Sequence, residues 1–145
     1  MGDDTNRSSK ATHYELTGTR MSPHRTTVDT GDGEFVVGKD GNPVEYFLGA
    51  VVACLNSTGS MVARDMDITL DELELTVAGD VDYSRYKGEE SEARAGLQGV
   101  EVSLSVTADA DDATLQTWLD RVKERCPVTD NVENETSLSV TLRND

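Results

Sequence analysis

The sequence has little positive charge, and this limits what the protein binds. Its 145 residues include 13 Lys and Arg against 28 Asp and Glu, which gives a formal net charge of −15. A surface this negative repels nucleic acids and anionic membranes, because both are polyanions. Lysine is scarce among the cations, and the acidic residues are spread along the whole chain. This pattern predicts a halophilic protein, in which high salt screens the self-repulsion.

Long hydrophobic runs are also missing. No uninterrupted run of apolar residues is long enough to cross a bilayer, so we expect no membrane span. The N-terminal segment MGDDTNRSSKATHYEL lacks the apolar core of a secretory signal, which favours a cytoplasmic protein. We expect a flexible tail over residues 1–11 and a single domain over residues 12–145.

Cysteine is scarce, and motifs for metals and cofactors are missing. The chain has two cysteines and no export signal, which indicates free thiols or a redox-cycling pair rather than a permanent disulfide. His13 and His24 form no closely spaced ligand pair with either cysteine, so no metal site is predicted. No glycine-rich nucleotide motif, P-loop or serine nucleophile motif occurs, so no cofactor is predicted.

The patterns that are present predict an α+β domain in the order β-β-β-α-β-β-α-β. The predicted strands cover residues 12–20, 25–31, 33–38, 71–84, 97–109 and 137–144. Asn42 suits the N-cap and Pro43 the first turn of a helix that runs to about Asp65. A second, amphipathic helix is predicted over residues 111–125. Two helices would then cover an antiparallel sheet.

The first predicted helix carries a broad apolar arc. Its apolar residues follow the helical spacing and are Val44, Phe47, Leu48, Val51, Val52 and Leu55. This predicts burial on most sides, more than a two-helix domain provides, and so favours a dimer. Cys54 shares this arc, and at this stage it is either a small core residue or a reactive thiol.

Cys126 has a different setting. It ends the second predicted helix and precedes Pro127, which suits the first position of another helix. A thiol at such a point is favoured as the thiolate, although a simple cap or hinge is the alternative. Sequence spacing alone does not tell whether Cys126 meets Cys54.

Two motifs resemble the signatures of the OsmC/Ohr family. GKDGNPVEYFLGAVVACL is similar to its first signature, a glycine-rich loop, Asn-Pro, and an apolar helix whose cysteine follows eleven residues after the proline. CPVTDNVENETSLSVTL is similar to the second, in which Cys-Pro is followed by a short helix and a final strand. The resemblance covers about residues 12 to 143.

The resemblance implies both a fold and a chemistry. The implied fold is an intertwined homodimer with a long buried helix bearing Cys54, a second helix ending at Cys126, and sites at the subunit interface. Characterised members are thiol peroxidases that reduce organic hydroperoxides and are regenerated by a dithiol reductant. The resemblance thereby implies that Cys54 is the peroxidatic thiol and Cys126 the resolving thiol.

The sequence departs from the family pattern beside the proline. The family's peroxidases carry a glutamate directly after it, and here that position is Val44, with Glu45 one residue later. Glu45 precedes Cys54 by nine residues, about half a turn out of phase, so it points away from the thiol if the helix is regular. Glu45 is thus a candidate catalytic residue that a regular helix would turn away from Cys54.

The family's activating arginine also lacks a clear counterpart. Arg20 and Arg25, in the first hairpin, are the candidates, with Lys39 a weaker one and ordinary surface charge as the alternative.

Two other functions remain open. One is a non-catalytic OsmC-like dimer that binds a hydrophobic small molecule at the subunit interface, and the other is an α+β domain with inert cysteines.

Overall fold

The computed structural model describes residues 8–143. Within this range the chain forms five strands and three helices in the order β-β-β-α-β-β-α-α, and its sheets are antiparallel. The predicted α+β class is therefore confirmed. Residues 1–7 of the predicted flexible tail lie outside the described residues.

The helices and strands follow the predicted order up to the last element. The strands are β1 (Thr17–Ser22), β2 (Arg25–Asp29), β3 (Glu34–Val37), β4 (Leu70–Val81) and β5 (Leu97–Ala108). The helices are α1 (Pro43–Asp65), α2 (Asp112–Arg125) and α3 (Pro127–Glu133). The chain divides into two compact units, residues 8–46 with 131–143 and residues 47–130, and α1 runs from the first into the second. The single domain over residues 12–145 stays a prediction.

The first unit is built on a three-stranded sheet in the order β1-β2-β3. Gly38, just after β3, has a φ of 101°, and a Cβ there would collide with the carbonyl oxygen of His24, so only glycine fits. Tyr46, in the first turn of α1, stacks on Phe35 with ring centroids 6.1 Å apart. Its hydroxyl donates to the carbonyl oxygen of Val36 at 3.0 Å. The start of α1 is thereby fixed against β3.

The second unit places a hairpin against helices. β4 and β5 pair antiparallel, and their alternation matches apolar partners such as Leu75 and Leu104 across the strands. The buried cluster that these strands pack against consists of Val51, Leu55, Val62, Ala63, Ile68, Trp118, Val122 and Cys126. One of the two cysteines thus belongs to the core itself, and Cys54 packs at its edge.

A glycine on α1 fixes the position of α2. Trp118 is the chain's single tryptophan and is 2% exposed. Its Nε1 donates to the carbonyl oxygen of Gly59 at 2.9 Å, and a Cβ at position 59 would lie only 2.9 Å from Cζ2 of the ring. The indole therefore needs glycine at this point. Val122 and Cys126 follow Trp118 at intervals of four residues and are equally buried, so one face of α2 enters the core.

The predicted last strand is wrong for the single chain. Residues 135–143 adopt no regular secondary structure, and residue 144 lies outside the described residues. The alternation that predicted a strand is real, but Leu138, Val140 and Leu142 are 88%, 86% and 95% exposed. A strand needs a neighbouring strand for its N–H and C=O groups, and this segment has none within the described part of the chain.

Burial of α1 in the single chain is restricted to one face. Val51, Leu55 and Val62 are buried, whereas Phe47 and Met61 are about half exposed, at 45% and 50%. The broad cover predicted from the sequence is thus supplied on one face alone by this chain. By length and composition α1 is apolar enough to cross a membrane, a test that buried core helices also meet. Its packed face makes it a core helix.

Candidate functional site

The structure brings the two cysteines together. Cys54 is half-buried on α1, and Cys126 is 1% exposed between α2 and α3; both are free thiols. Cys54 packs against the buried cluster that contains Cys126, and each thiol lies close enough to shift the pKa of the other. Two residues that are 72 positions apart in sequence therefore form one dithiol. The fold, and not the local sequence, creates this pair.

Cys126 occupies the junction of two helices. Its backbone N–H closes α2 by donating to the carbonyl oxygen of Val122 at 3.1 Å. Its own carbonyl oxygen accepts the first backbone bond of α3, from Asp130, also at 3.1 Å. Pro127 disfavours helical backbone at the residue before it, and Cys126 is accordingly extended, with φ −81° and ψ 113°. Cys126 is thus both the C-cap of α2 and the N-cap of α3.

This junction surrounds the sulfur of Cys126 with donors. Burial by itself raises the pKa of the Cys126 thiol, because a thiolate is poorly solvated in the core. The hydroxyl and backbone N–H of Thr129, the Cys54 thiol and the N–H of Val128 act in the opposite direction. Together they hold the pKa of Cys126 below its ordinary value. These donors therefore favour the thiolate form of Cys126.

The pKa of the Cys54 thiol is shifted in the opposite direction. Burial raises the pKa of its thiol, and the neighbouring Cys126 sulfur raises it further, since two adjacent thiolates repel. The N–H of Val128 and the hydroxyl of Thr58 offset part of this effect. Cys54 is nonetheless the sulfur with the greater access to solvent. To become a thiolate it must lose its proton, and Cys126 is the neighbouring thiol that can accept it.

Two threonines at this site were missed by the sequence analysis. Thr58 has a relative exposure of 7%, and its hydroxyl lies 3.9 Å from Sγ of Cys54. Thr129 helps to lower the pKa of Cys126, and its hydroxyl lies 3.3 Å from that residue's carbonyl oxygen, the alternative acceptor for its single proton. Each follows its cysteine at helical spacing, by four and by three residues, and this signal was available in the sequence.

Glu45 caps the helix. Its Oε1 accepts from the backbone N–H of Asn42, while Oδ1 of Asn42 accepts from the backbone N–H of Glu45, both at 2.9 Å. This reciprocal pair is a capping box, with Pro43 at the first helical position. The structure therefore gives Glu45 a structural role at the N-terminus of α1. Its catalytic role stays a prediction.

Replacing Glu45 separates these two roles. We expect Glu45→Ala to lower the free energy of unfolding by about 0.5–1 kcal/mol, and Glu45→Gln to change it little, because glutamine can still accept from Asn42. Urea denaturation measures both, with Glu124→Ala on the exposed face of α2 as the matched control. An unchanged stability in Glu45→Ala would contradict the capping role.

Arg20 and Arg25 lie in the other compact unit. Arg20 is on β1 and pairs with Thr26, and Arg25 begins β2 opposite Ser22; both arginines are exposed. The donors that act most strongly on the two sulfurs are hydroxyl, thiol and amide groups rather than cations. An activating arginine therefore stays a prediction. Among residues 8–143, no group of three His, Cys, Asp or Glu is placed to hold a metal ion.

Solved structures with the same fold include proteins of related names. An OsmC-like protein from Mycoplasma pneumoniae superposes with a TM-score of 0.74 at 17% identity, over 86% of this chain and 89% of that one. An organic hydroperoxide resistance protein from Legionella pneumophila gives 0.64 at 19% identity, over 84% and 91%. One from Elizabethkingia anophelis gives 0.62 at 18% identity, over 88% and 93%. At these identities the likeness shows the fold.

Sequence comparison identifies the family. No curated protein sequence matches the chain closely enough to count as a relative. The family model described as OsmC-like protein matches residues 36–141, which include both cysteines, α1, β4, β5, α2 and α3. This range is well over half of the chain, and the structural likeness agrees with it. The chain belongs to the OsmC-like protein family.

Proposed function

We propose that the protein is a thiol-dependent peroxidase that reduces organic hydroperoxides through a dithiol–disulfide cycle of Cys54 and Cys126. The observation that carries this proposal is that the fold brings Cys54 against the buried cluster that contains Cys126, where the two thiols shift each other's pKa. A pair in contact can be oxidised to a disulfide without moving either helix far. The solved relatives named for organic hydroperoxide resistance support the same chemistry. The cycle serves oxidative stress defence in the cytoplasm, where thiols are kept reduced.

In this cycle Cys54 is the nucleophile, because peroxide can reach it. Cys126 is 1% exposed, whereas Cys54 is half-buried. The pKa of Cys126 is lowered and that of Cys54 is raised, so in this cycle the Cys126 thiolate accepts the proton of Cys54 before the attack. The resulting Cys54 thiolate attacks one peroxide oxygen. The S–O bond forms, the O–O bond breaks, and Cys54 becomes a sulfenic acid.

Cys126 then completes the reaction. The alkoxide that leaves takes the proton from Cys126 and departs as the alcohol. The Cys126 thiolate attacks the sulfur of the sulfenic acid, a disulfide forms, and hydroxide leaves and is protonated to water. An external dithiol reduces the disulfide and returns both thiols. Two electrons thus pass from the dithiol reductant to the peroxide.

An organic substituent fits the surroundings of Cys54 better than water does. Ala50 and Phe47 lie one and two helical turns before it, and both are exposed in the single chain. Apolar side chains beside the thiol favour an alkyl or lipid-like hydroperoxide over hydrogen peroxide.

The test is consumption of cumene hydroperoxide with a dithiol reductant, compared with consumption of hydrogen peroxide. If cumene hydroperoxide is consumed no faster than in protein-free buffer, the peroxidase proposal is contradicted. The alternative is then a non-catalytic dimer that binds a hydrophobic small molecule.

The active form in this proposal is a homodimer. Leu138, Val140 and Leu142 alternate along an unpaired segment, and each is more than 85% exposed. Such a segment pairs readily with the edge of a sheet in a second copy, which would bury these side chains and satisfy its backbone. The exposed side of α1, with Phe47 and Met61, needs cover for the same reason.

This dimer should depend on salt. Each chain carries a net charge of −15, so two chains repel until ions screen them. We expect sedimentation equilibrium to give twice the 15.7 kDa chain mass at about 2 M KCl, with dissociation towards about 0.1 M. A single-chain mass at both concentrations would contradict the dimer. A dimer of equal strength at both would contradict halophilic adaptation.

A further inference from the structure

Thr58 stands out because its hydroxyl is buried within the dithiol site. It is the one buried polar side chain in the described part of the chain. A buried hydroxyl needs a partner, since leaving it unpaired costs free energy. In α1 the hydroxyls of Ser57 and Ser60 donate to carbonyl oxygens four residues earlier, at 3.2 and 2.9 Å. The Thr58 hydroxyl instead lies 3.9 Å from Sγ of Cys54.

Helix geometry fixes this contact. Thr58 follows Cys54 by four residues, so the two side chains are neighbours on one face of α1. Thr58 is β-branched, so its side chain has few rotamers within a helix. Its neighbour Gly59 is held against Trp118 through the bond from the indole to the Gly59 carbonyl oxygen. The hydroxyl is therefore positioned before any substrate arrives.

We propose that the Thr58 hydroxyl donates a hydrogen bond to the Cys54 thiolate and is a catalytic residue of the peroxidase. This inference rests on the proposed function in taking Cys54 as the nucleophile. Once Cys54 has given its proton to Cys126, its sulfur is a pure acceptor, and Thr58 supplies a donor that water does not have to provide. The bond stabilises the attacking form of the sulfur.

The groups around Cys54 allow this effect to be isolated. Within the described part of the chain, the titratable group that acts on the Cys54 thiol is Cys126, and the backbone N–H of Val128 is a donor besides Thr58. β4 and β5 supply apolar side chains to the cluster beside it. A change at Thr58 therefore removes a hydroxyl without removing a charge.

The test is alkylation of Cys54 by iodoacetamide as a function of pH, in the full chain. Trypsin releases the two cysteines in separate peptides, residues 40–64 and 126–143, so mass spectrometry follows each thiol by itself. In Thr58→Val, which removes the hydroxyl at nearly constant volume, we expect Cys54 to react about three- to tenfold more slowly near neutral pH. Thr58→Ser, which restores the hydroxyl, should react like the wild type.

The pH profile distinguishes hydrogen bonding from packing. Well above the range in which thiols titrate, the rates of all variants should converge, because every Cys54 is then a thiolate. A Thr58→Val profile that matches the wild type, or one that is slower by the same factor at every pH, would overturn the inference. If Thr58→Val does not fold, the pH profile of Cys54 alkylation in Thr58→Ala is compared with that in Thr58→Ser. The same two outcomes would overturn the inference.

Failure of the proposed function would look different. Alkylation needs no peroxide, so a chain without peroxidase activity can still show the Thr58 effect. In that case the proposal that Thr58 donates a hydrogen bond to Cys54 is supported, and the proposal of peroxidase activity is rejected. An active peroxidase with an unchanged Thr58→Val profile would overturn the inference about Thr58 and leave the proposed function in place.

Discussion

Cys54→Ser should abolish consumption of cumene hydroperoxide. A serine hydroxyl is a far weaker nucleophile than a thiolate, and Cys126 is buried away from the substrate. We therefore expect a loss on the order of a thousandfold or more in kcat/KM, which is typical of removing a nucleophile. Stopped-flow measurements with reduced protein, a dithiol reductant and high salt provide the rates.

Cys126→Ser is the matched control. Attack by Cys54 survives, so about one equivalent of peroxide should be consumed in a burst, after which a sulfenic acid is trapped. Removing the charged sulfur also removes a cause of the raised pKa of Cys54, so the burst is not slowed by a shortage of thiolate. Equal rates in wild type and Cys54→Ser would refute the peroxidase. Normal turnover in Cys126→Ser would refute the resolving role.

Trp118→Ala should cause the largest loss of stability. Trp118 is the bulkiest fully buried side chain, and its indole fills the space above Gly59. Truncation leaves a cavity and removes the indole's hydrogen bond to Gly59, so the free energy of unfolding should fall by about 3–5 kcal/mol. Urea denaturation at constant high salt, followed by far-UV circular dichroism, measures it without relying on tryptophan fluorescence.

Two further variants show whether the loss of stability in Trp118→Ala comes from the contact between α1 and α2. Trp118→Phe keeps most of the ring but loses the hydrogen bond to Gly59, so it should lie between the wild type and Trp118→Ala. Tyr86→Ala, at a side chain 78% exposed, should change the free energy of unfolding by less than about 0.5 kcal/mol. A similar small change in Trp118→Ala would contradict the account of the α1–α2 contact.

Local patterns in the sequence were sufficient to predict the helices and strands that pack within one chain. Helical spacing and the Asn42-Pro43 start gave α1 its bounds, Pro43–Asp65. Alternation located β4 and β5, since their faces differ in exposure along most of the pairing. The prediction of the last strand failed because alternation of apolar and polar residues describes side chains alone. A strand also needs a neighbouring strand to pair with its backbone N–H and C=O groups. That partner is not supplied to residues 137–143 by the described chain.

The site was predicted only in part, for a related reason. Each cysteine is identifiable from its local motif, but their contact depends on how α2 docks on α1. Trp118 and Gly59 fix that docking, and they are 59 residues apart. The charge distribution of the dithiol likewise depends on donors from α1 and α3 that converge only after folding. Tertiary packing, and not a local sequence pattern, brings these donors to the two sulfurs.

The most direct measurement is the mass of the tryptic peptides after one equivalent of cumene hydroperoxide is added to the fully reduced protein. If Cys54 and Cys126 form the proposed dithiol cycle, a cross-linked species should appear that joins residues 40–64 to residues 126–143 through these cysteines and that separates on reduction with a dithiol. Recovery of both peptides with free thiols, after the hydroperoxide has been added, would contradict it.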